Sequence, residues 1–228
     1  MLSILMPVYN ERERVEQAIA EVLATPLPME FELIVVDDGS TDGTREILQN
    51  GEWDGRVRLY EHSVNQGKGA AVRTGLTHAE GEFSAIFDAD LEYDPKDLAL
   101  LMPPLMEGRT NASFGVRAFD GYTSHSFLFV MGNKGVTLAC NLLFNVYLRD
   151  IMTCHKMIRT DLFRSLSLRS PGFAIEPEIT ARLVQHGERI FEVPVHYRAR
   201  SNEEGKKLTA LDGFRVIGTL MRCRFSAP

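Results

Sequence analysis

The chain has 228 residues, of which 44% are hydrophobic and 25% are charged, a balance typical of a globular protein with one large domain. Its formal net charge of −6 argues against a nucleic-acid-binding protein, since such proteins are usually basic. Its three cysteines show no CxxC spacing, which argues against a disulfide framework or a structural zinc site and fits a reducing compartment.

The first half of the chain alternates between strand-like and helix-like patterns. Short apolar runs predict strands, and apolar residues at helical spacing between them predict amphipathic helices. The predicted strands cover residues 3–8, 31–36, 57–60, 83–87 and 112–116, and the predicted helices cover residues 15–23, 42–48, 68–79 and 95–105. This alternation predicts a Rossmann-like α/β fold, in which a mostly parallel central sheet carries helices on both faces. Ligands bind outside the carboxyl ends of the strands in such sheets.

The second half is less regular. Residues 122–148 form a long apolar stretch that predicts one or two helices, residues 151–158 and 190–197 predict strands, and residues 176–186 predict a helix. The last segment, residues 208–225, has helical periodicity with interleaved arginines. This segment and the apolar stretch at 127–148 could lie on a membrane surface, although a core-facing helix is the simpler interpretation of each.

The sequence shows no pattern typical of a targeting signal. The first ten residues lack the basic segment and the apolar core of a secretory signal peptide. No stretch reaches the roughly 20 apolar residues that a membrane-spanning helix requires. We therefore expect a cytoplasmic protein whose contact with a membrane is peripheral or supplied by a membrane-protein partner. Without repeats or low-complexity linkers, residues 1–228 are expected to form a single domain.

An acidic motif directly after the fourth predicted strand is the strongest chemical signal. Asp88 and Asp90 lie two residues apart at this strand end, and Glu92 follows them. Carboxylate oxygens so placed can bind one hard divalent cation, Mg²⁺ or Mn²⁺. Such a cation would bridge the phosphates of a nucleoside diphosphate and neutralise the leaving group. The simpler interpretation is a set of solvated turn residues.

Two further strand ends carry polar residues. After the first strand, Pro7 and Tyr9 are candidates to flank a nucleobase, and Glu11 is a candidate acceptor for base or ribose donors. Asp38 follows the second strand and is a further candidate for the base or the ribose. An ordinary strand-to-helix loop, or a charged helix cap in the case of Asp38, would explain the same residues.

A glycine-rich turn follows the third predicted strand. Gly67 and Gly69 flank Lys68 where a helix opens, so the backbone could approach a ligand closely while the lysine lies near phosphate or sugar oxygens. The spacing matches neither GxGxxG nor a P-loop, which disfavours dehydrogenases and P-loop NTPases.

Together the four segments resemble family 2 of the inverting glycosyltransferases. The motifs are Pro-Val-Tyr-Asn-Glu, Val-Asp-Asp-Gly-Ser-Thr-Asp-Gly-Thr, Asn-Gln-Gly-Lys-Gly-Ala-Ala and Asp-Ala-Asp-Leu-Glu. They occur in the order and spacing of that family, and residues 1–117 resemble its A-type fold. The remainder is similar, more loosely, to the dolichol-phosphate mannose synthase or polyprenyl-phosphate glycosyltransferase branch.

The resemblance implies a hexosyltransferase with a nucleotide-diphosphate sugar donor of GDP-mannose or UDP-glucose type, a Mg²⁺ or Mn²⁺ ion and a polyprenyl phosphate acceptor. It implies a nucleotide-sugar-binding half at residues 1–117 and an acceptor-binding half at residues 118–228. Residues implied around the nucleotide are Pro7, Tyr9, Glu11, Asp38, Gly67, Lys68 and Asp88, and those near the metal are Asp88, Asp90 and Glu92. The branch often has Gln in place of Glu92.

Cations in the second half suit an acceptor phosphate. Arg117 matches a strand-end arginine of the branch, and Arg200 and Lys207 fall in a basic segment similar to its Arg-x-x-Gly-x-Ser-Lys motif, with a longer spacer. Together with Asp90, these three are the predicted catalytic residues. Because a phosphate is already anionic, positioning and charge neutralisation can replace a general base. A solvated basic loop is the competing interpretation of the segment around Arg200.

Other acceptors and activities remain open at this stage. A hydroxyl acceptor would need a base, either a carboxylate or His155, although a strand residue is the commoner role for such a histidine. Glu176 matches an acidic segment of the branch or simply starts a helix. A nucleotidyltransferase is a further alternative, but residues 7–11 lack its glycine-rich loop. A nucleotide-sugar sensor without activity is disfavoured by the intact acidic motif.

Overall fold

The computed structural model describes residues 1–117, 127–198 and 210–226. Within these residues, seven strands form one sheet in the order β3-β2-β1-β4-β6-β5-β7. The strands are β1 Leu2–Val8, β2 Phe31–Asp37, β3 Val57–Glu61, β4 Phe83–Ile86, β5 Ala112–Arg117, β6 Lys156–Arg159 and β7 Ile190–Val195. Every residue of β2 is buried, which explains why its sequence shows no alternation of apolar and polar residues and runs from Leu33 to Val36 without a polar side chain.

The predicted mostly parallel sheet is confirmed. The pairs β1–β2, β1–β4, β2–β3 and β5–β7 are parallel, whereas β6 runs antiparallel to both β4 and β5. The other strands therefore share one direction, and their carboxyl ends meet at one edge. Val8 lies opposite Asp37 at this edge, so the loops after β1 and β2 begin side by side.

Helices connect and cover the strands. They are α1 Val15–Ala24, α2 Thr44–Asn50, α3 Lys68–His78, α4 Leu98–Met106, α5 Phe127–Phe144, α6 Thr160–Ser165, α7 Ile175–Gln185 and α8 Ala210–Phe225. A short 3₁₀ turn, Pro95–Asp97, precedes α4. Helix α3 packs on β1 and β2, while α5, α7 and α8 pack against one another. None of the helices in the described ranges is long and apolar enough to cross a membrane.

The segment predicted as a strand over residues 151–158 is a correction. Only its end is extended, because β6 begins at Lys156. The fully buried ammonium of Lys156 accounts for the difference, since it donates to the carbonyl oxygens of Ile151 and Thr153. Those carbonyls would pair with a neighbouring strand if the segment were extended, so the buried lysine favours a turn.

The buried apolar residues form two clusters. The larger one lies around the sheet and includes the side chains of β1, β2 and β4. The smaller one joins α5, α7 and α8 through Val136, Ala181 and Leu220. One side of α5 and of α8 therefore faces a core, as predicted by the interpretation of both segments as core-facing helices. Phe127 and Leu142 on α5 are 74% and 76% exposed, so another side of α5 does not face the core.

Candidate functional site

A cavity of about 340 Å³ lies at the carboxyl edge of the sheet. Every predicted site residue within the described ranges lines it: Pro7, Tyr9, Glu11, Asp38, Gly67, Lys68, Asp88, Asp90, Glu92 and Arg117. Residues from the second half complete the wall: Met152, Cys154, Gly172, Phe173, Glu176 and Tyr197. Arg200 and Lys207 lie outside the described residues.

The loops after β1 and β2 fix each other. Asn10 adopts the left-handed conformation (φ 52°), and its side-chain oxygen accepts from the backbone N–H of Thr41 at 2.9 Å. The backbone N–H of Glu11 donates to the hydroxyl of Thr44 at 3.0 Å. These bonds hold Pro7 to Glu11 against the start of α2, so this wall of the cavity is rigidly placed.

Asp38 organises the loop that leads to α3. Its carboxylate accepts from the backbone N–H groups of Gln66 at 2.9 Å and Gly67 at 2.7 Å. Nδ1 of His62 lies 2.6 Å from the same carboxylate, and Nε2 lies 2.8 Å from the hydroxyl of Thr74. Asp38 therefore shapes the loop, and its role toward a base or ribose stays a prediction. His62 was missed because a single histidine after a strand carries no distinctive sequence signal.

The glycine-rich turn packs closely against another part of the chain, and the predicted role of Gly67 and Lys68 toward a ligand stays a prediction. A Cβ at Gly67 would collide with the carbonyl of Pro171, and one at Gly69 with the carbonyl of Ser170. The backbone N–H of Ala70 donates to Pro171 at 3.0 Å, and Arg73 donates to the carbonyl of Ser170 at 2.7 Å. The space that these glycines leave is therefore filled by the chain itself at 170–171, although Gly67 also lines the cavity.

Lys68 joins two carboxylates at the centre of the site. Its Nζ lies 2.7 Å from Oδ2 of Asp88 and 2.9 Å from Oε1 of Glu176. The other oxygen of Glu176 accepts from Nζ of Lys156 at 2.9 Å. Burial would lower the pKa of Lys68, but the charges of Asp88 and Glu176 outweigh it and hold that pKa well above its ordinary value.

Glu176 is thus more than a helix-start carboxylate. It is buried, and burial alone would raise its pKa, yet Lys156 and Lys68 lower the pKa below the ordinary value. The sequence indicated Glu176 as an acidic residue of the second half. It did not indicate Lys156, whose importance depends on a contact between β6 and α7.

The acidic motif faces the cavity through a strained turn. Leu91 has φ 61°, a conformation that costs a bulky residue about 1–3 kcal/mol and concentrates at functional sites. Oδ1 of Asp90 accepts from the backbone N–H of Glu92 at 3.1 Å, and the hydroxyl of Tyr197 donates to Glu92 at 2.8 Å. Burial, followed by the Glu92 carboxylate, raises the pKa of Tyr197 above its ordinary range.

The carboxylates fit a hard divalent cation by their chemistry. Asp88 and Asp90 present oxygen ligands to one cavity, as Mg²⁺ and Mn²⁺ require. Within the described part of the chain, no three His, Cys, Asp or Glu side chains are grouped so that they could hold an ion by themselves. Further ligands would come from the diphosphate of a bound nucleotide, and Glu92 as a third ligand stays a prediction.

Arg117 is held by a buried carboxylate. Its Nε and Nη2 donate to the two oxygens of Asp150 at 2.7 and 2.9 Å. The guanidinium also lies 5.1 Å from the ring centroid of Tyr197, whose hydroxyl is bound to Glu92. The strand-end arginine is thus fixed at the cavity wall by a bidentate pair, and its binding to an acceptor phosphate stays a prediction.

His155 is buried next to the cavity wall but is not one of the residues that line the cavity. It is fully buried and meets the rings of Phe87 and Tyr93 edge-on at 5.4 and 4.3 Å. Its ring nitrogens have no hydrogen-bond partner among the described residues. Burial, with a contribution from Lys68, lowers its pKa to about 3. The histidine does not line the cavity, so the geometry does not support it as a base for a hydroxyl acceptor.

Comparison with known proteins agrees with the motif pattern. The family model described as "Glycosyl transferase family 2" matches residues 3–167. Glycosyltransferase AglJ of Haloferax volcanii is 30% identical over 96% of this chain and 70% of its own length. The dolichol-phosphate mannosyltransferase of Pyrococcus furiosus is 26% identical over 97% of this chain, and the dodecaprenyl-phosphate galacturonate synthase of Rhizobium johnstonii is 29% identical over 98%. The chain spans 64% and 66% of the lengths of these last two relatives.

Solved structures share the fold. Glucosyl-3-phosphoglycerate synthase from Mycobacterium tuberculosis, in complex with Mn²⁺, UDP and glucosyl-3-phosphoglycerate, has a TM-score of 0.71 at 22% identity, over 100% of this chain and 81% of its own. S. aureus TarS in complex with UDP-GlcNAc has a TM-score of 0.64 at 17% identity, over 97% of this chain and 66% of its own. At these identities the likeness concerns the fold, and it confirms the predicted A-type architecture.

Proposed function

Because the chain belongs to glycosyl transferase family 2, we propose that it transfers a hexose, with inversion, from a nucleotide-diphosphate sugar to a polyprenyl phosphate. The observation that carries this proposal is the convergence of four separate donor motifs and one strand-end arginine on a single cavity. The donor is of GDP-mannose or UDP-glucose type. Residues 1–117 supply most donor contacts and Arg117, and residues 118–228 supply the other acceptor contacts.

The donor nucleotide is proposed to lie along the loops after β1 and β2. Pro7 and Tyr9 flank the base, while Glu11 and Asp38 face the base or ribose. Support comes from the rigid connection between these loops, which keeps the wall in place before the nucleotide arrives. Gly67 and Lys68 lie beside the phosphates.

The metal requirement is proposed from the donor chemistry. Asp88 and Asp90, with Glu92 nearby, would hold Mg²⁺ or Mn²⁺ against the diphosphate. When bound, such an ion neutralises the charge that develops on the departing nucleoside diphosphate. The complexes of the M. tuberculosis synthase with Mn²⁺ or Mg²⁺ and UDP support this choice of ions.

The acceptor phosphate is proposed to approach Arg117 from the second half of the chain. Arg200 and Lys207 complete the cationic set in this proposal. Two relatives carry a polyprenyl phosphate in their names, which favours the same acceptor class here. An anionic phosphate attacks without a general base, and the burial of His155, which does not line the cavity, fits such an acceptor.

Contact with the cytoplasmic face of a membrane follows from the acceptor, because a polyprenyl chain resides in the bilayer. Exposed apolar residues recur along α5 and α8: Phe127, Met131, Leu138, Leu142, Ile217, Met221 and Phe225. Exposed basic residues Lys134, Arg215 and Arg224 accompany them. Such a combination binds anionic lipid surfaces, either directly or beside a membrane-protein partner.

The test is nucleoside diphosphate release from a panel of GDP- and UDP-sugars, with Mn²⁺ or Mg²⁺, in the presence and absence of a short polyprenyl phosphate. We expect release from one donor only when the lipid phosphate is added. Asp90→Asn should lower the rate at least about a hundredfold, whereas the exposed Asp161→Asn should leave it unchanged.

Other outcomes identify the rivals. Release stimulated by a soluble sugar but not by the lipid phosphate would replace the acceptor with a hydroxyl compound, and a cavity carboxylate would then be the base. Release of pyrophosphate from a nucleoside triphosphate and a sugar phosphate would instead indicate a nucleotidyltransferase.

A further inference from the structure

The contacts of Lys68 place a fixed positive charge on the first carboxylate of the acidic motif. Its Nζ lies 2.7 Å from Oδ2 of Asp88, within direct ion-pair distance. Both side chains line the same cavity, and Lys68 is the more buried of the two. Asp88 is also one of the two carboxylates that the divalent cation would use, so the ammonium and the ion need the same group.

Electrostatic repulsion makes the Lys68 ammonium and the divalent cation compete for Asp88. Two cations that share one carboxylate repel each other, and the repulsion is strong where burial limits solvent screening. The carboxylate of Asp88 cannot compensate a lysine and a divalent ion together. A nucleoside diphosphate adds negative charge and phosphate oxygens beside Asp88, so that both cations can bind there together.

A second carboxylate makes the exchange feasible. Lys68 is also held by Glu176, whose Oε1 lies 2.9 Å from Nζ. Glu176 is itself fixed by the fully buried Lys156 at 2.9 Å. When Lys68 releases Asp88, its ammonium therefore keeps one charged partner, and only the tip of a flexible side chain has to move toward an incoming phosphate oxygen.

We propose that Lys68 occupies Asp88 in place of the divalent cation until a nucleoside diphosphate binds, so that cation and nucleotide bind cooperatively. This inference rests on the proposed function, because it requires both a diphosphate donor and a cation at Asp88. As a consequence, the protein binds the cation weakly in the absence of nucleotide. The donor diphosphate then draws Lys68 away from Asp88 and completes the cation site.

The experiment measures Mn²⁺ binding by electron paramagnetic resonance on the full chain. Mn²⁺ is titrated into the wild type and Lys68→Met, first without nucleotide and then with UDP or GDP. In the absence of nucleotide, we expect Lys68→Met to bind Mn²⁺ about tenfold more tightly than the wild type. The gain in Mn²⁺ affinity caused by the diphosphate should be about tenfold smaller in the variant than in the wild type.

Matched variants separate this effect from general changes in charge or folding. Lys96→Met removes an exposed lysine that does not line the cavity, and its Mn²⁺ affinities should equal those of the wild type. A titration of Mn²⁺ into UDP or GDP without protein corrects for Mn²⁺ bound by the free nucleotide. If Lys68→Met loses its circular dichroism spectrum, Lys68→Gln replaces it, because the amide keeps a donor for Asp88 and Glu176.

Two results would overturn the inference in different ways. In the first, the wild type and the Lys68 variants bind Mn²⁺ equally well without nucleotide, and the diphosphate raises their Mn²⁺ affinity by the same factor. This result would exclude competition between Lys68 and the cation and leave the proposed function intact. Failure of both UDP and GDP to bind or to change Mn²⁺ affinity in any of the proteins would remove the donor assignment as well.

Discussion

Several buried charged side chains in this protein are paired with residues that lie far away in the sequence. Glu176 on α7 compensates two buried lysines, Lys156 on β6 and Lys68 at the start of α3. A buried ion pair contributes little compared with a well-packed apolar group, but removal of one partner leaves an uncompensated charge. The network is therefore sensitive to the loss of its shared carboxylate.

We expect Glu176→Gln to lower the free energy of unfolding by about 3–5 kcal/mol, because both lysines lose a counter-charge away from water. Urea denaturation at pH 7 measures the loss. The exposed Glu13→Gln is the matched control and should change stability by less than about 0.5 kcal/mol. Equal stability of the two variants would contradict the structural role assigned to Glu176.

A second residue-scale prediction concerns His155, which is neutral in the folded protein because burial lowers its pKa to about 3. The unfolded chain binds a proton near pH 6.5, whereas the folded chain does not, so acid favours unfolding. Stability should therefore fall as pH decreases from about 6.5 toward 3, by up to about 1.4 kcal/mol per pH unit.

His155→Leu removes this dependence while keeping an apolar side chain of similar size between Phe87 and Tyr93. Urea unfolding at pH 6.5 and pH 5 should show that the wild type loses about 1.6 kcal/mol more than the variant. Parallel pH profiles for the two proteins would show that His155 is protonated in the folded state, contrary to its buried position.

At the scale of elements, the contact between α3 and the segment 169–173 determines the shape of the cavity wall. Glu178 on α7 accepts from the backbone N–H groups of Arg169 at 3.1 Å and Ser170 at 2.7 Å. Arg222 on α8 donates to the hydroxyl of Ser170 at 3.0 Å. This segment is thus held by two helices on one side and meets the start of α3 on the other.

Gly69 allows this close approach, so Gly69→Ala should lower the free energy of unfolding by about 1–3 kcal/mol through the collision with the carbonyl of Ser170. Gly135→Ala on α5 is the matched control, because a Cβ there meets no atom within 4 Å. A glycine inside a helix costs about 0.5–1 kcal/mol relative to alanine, so the control should be stabilised. Thermal denaturation compares the two, and a stable Gly69→Ala would contradict the close contact.

Elements were predictable from the sequence where local pattern decides their structure. The largely apolar run of β2 and the helical spacing on α1 place those elements within a residue or two of their observed bounds. The segment before β6 was wrongly assigned because Lys156, a charged residue in the pattern, is buried and bonds back to Ile151. The turn Pro95–Asp97 and helix α6 are too short to show periodicity.

At the scale of the whole molecule, the residues that the sequence singled out line one cavity, but the sequence did not predict how they pair with one another. The four motifs follow the ends of parallel strands, and topology alone brings such ends together. The sequence does not show that Asp150 binds Arg117, or that Tyr197 binds Glu92 across 105 positions. These pairs depend on how the second half packs onto the sheet, and such packing produces no periodic pattern in the sequence.

The exposed apolar residues of α5 also belong to this scale, because they concern how the molecule meets its surroundings. Leu138 and Leu142 lie one helical turn apart, and both are exposed. Transfer of each side chain from water into a bilayer interface contributes about 1–3 kcal/mol. If α5 lies on the membrane, the double variant Leu138→Ser with Leu142→Ser should bind vesicles at least about tenfold more weakly.

Sedimentation with vesicles of phosphatidylcholine and phosphatidylglycerol measures this binding. Leu100→Ser on α4 is the matched control, since it also removes an exposed leucine. Nucleoside diphosphate release with a short, water-soluble polyprenyl phosphate should be equal in all three proteins, because neither α5 leucine lines the cavity. Equal vesicle binding by the double variant and the wild type would exclude these two leucines as the contact and shift attention to α8. A loss that occurred equally in Leu100→Ser would instead indicate general adhesion of exposed apolar residues.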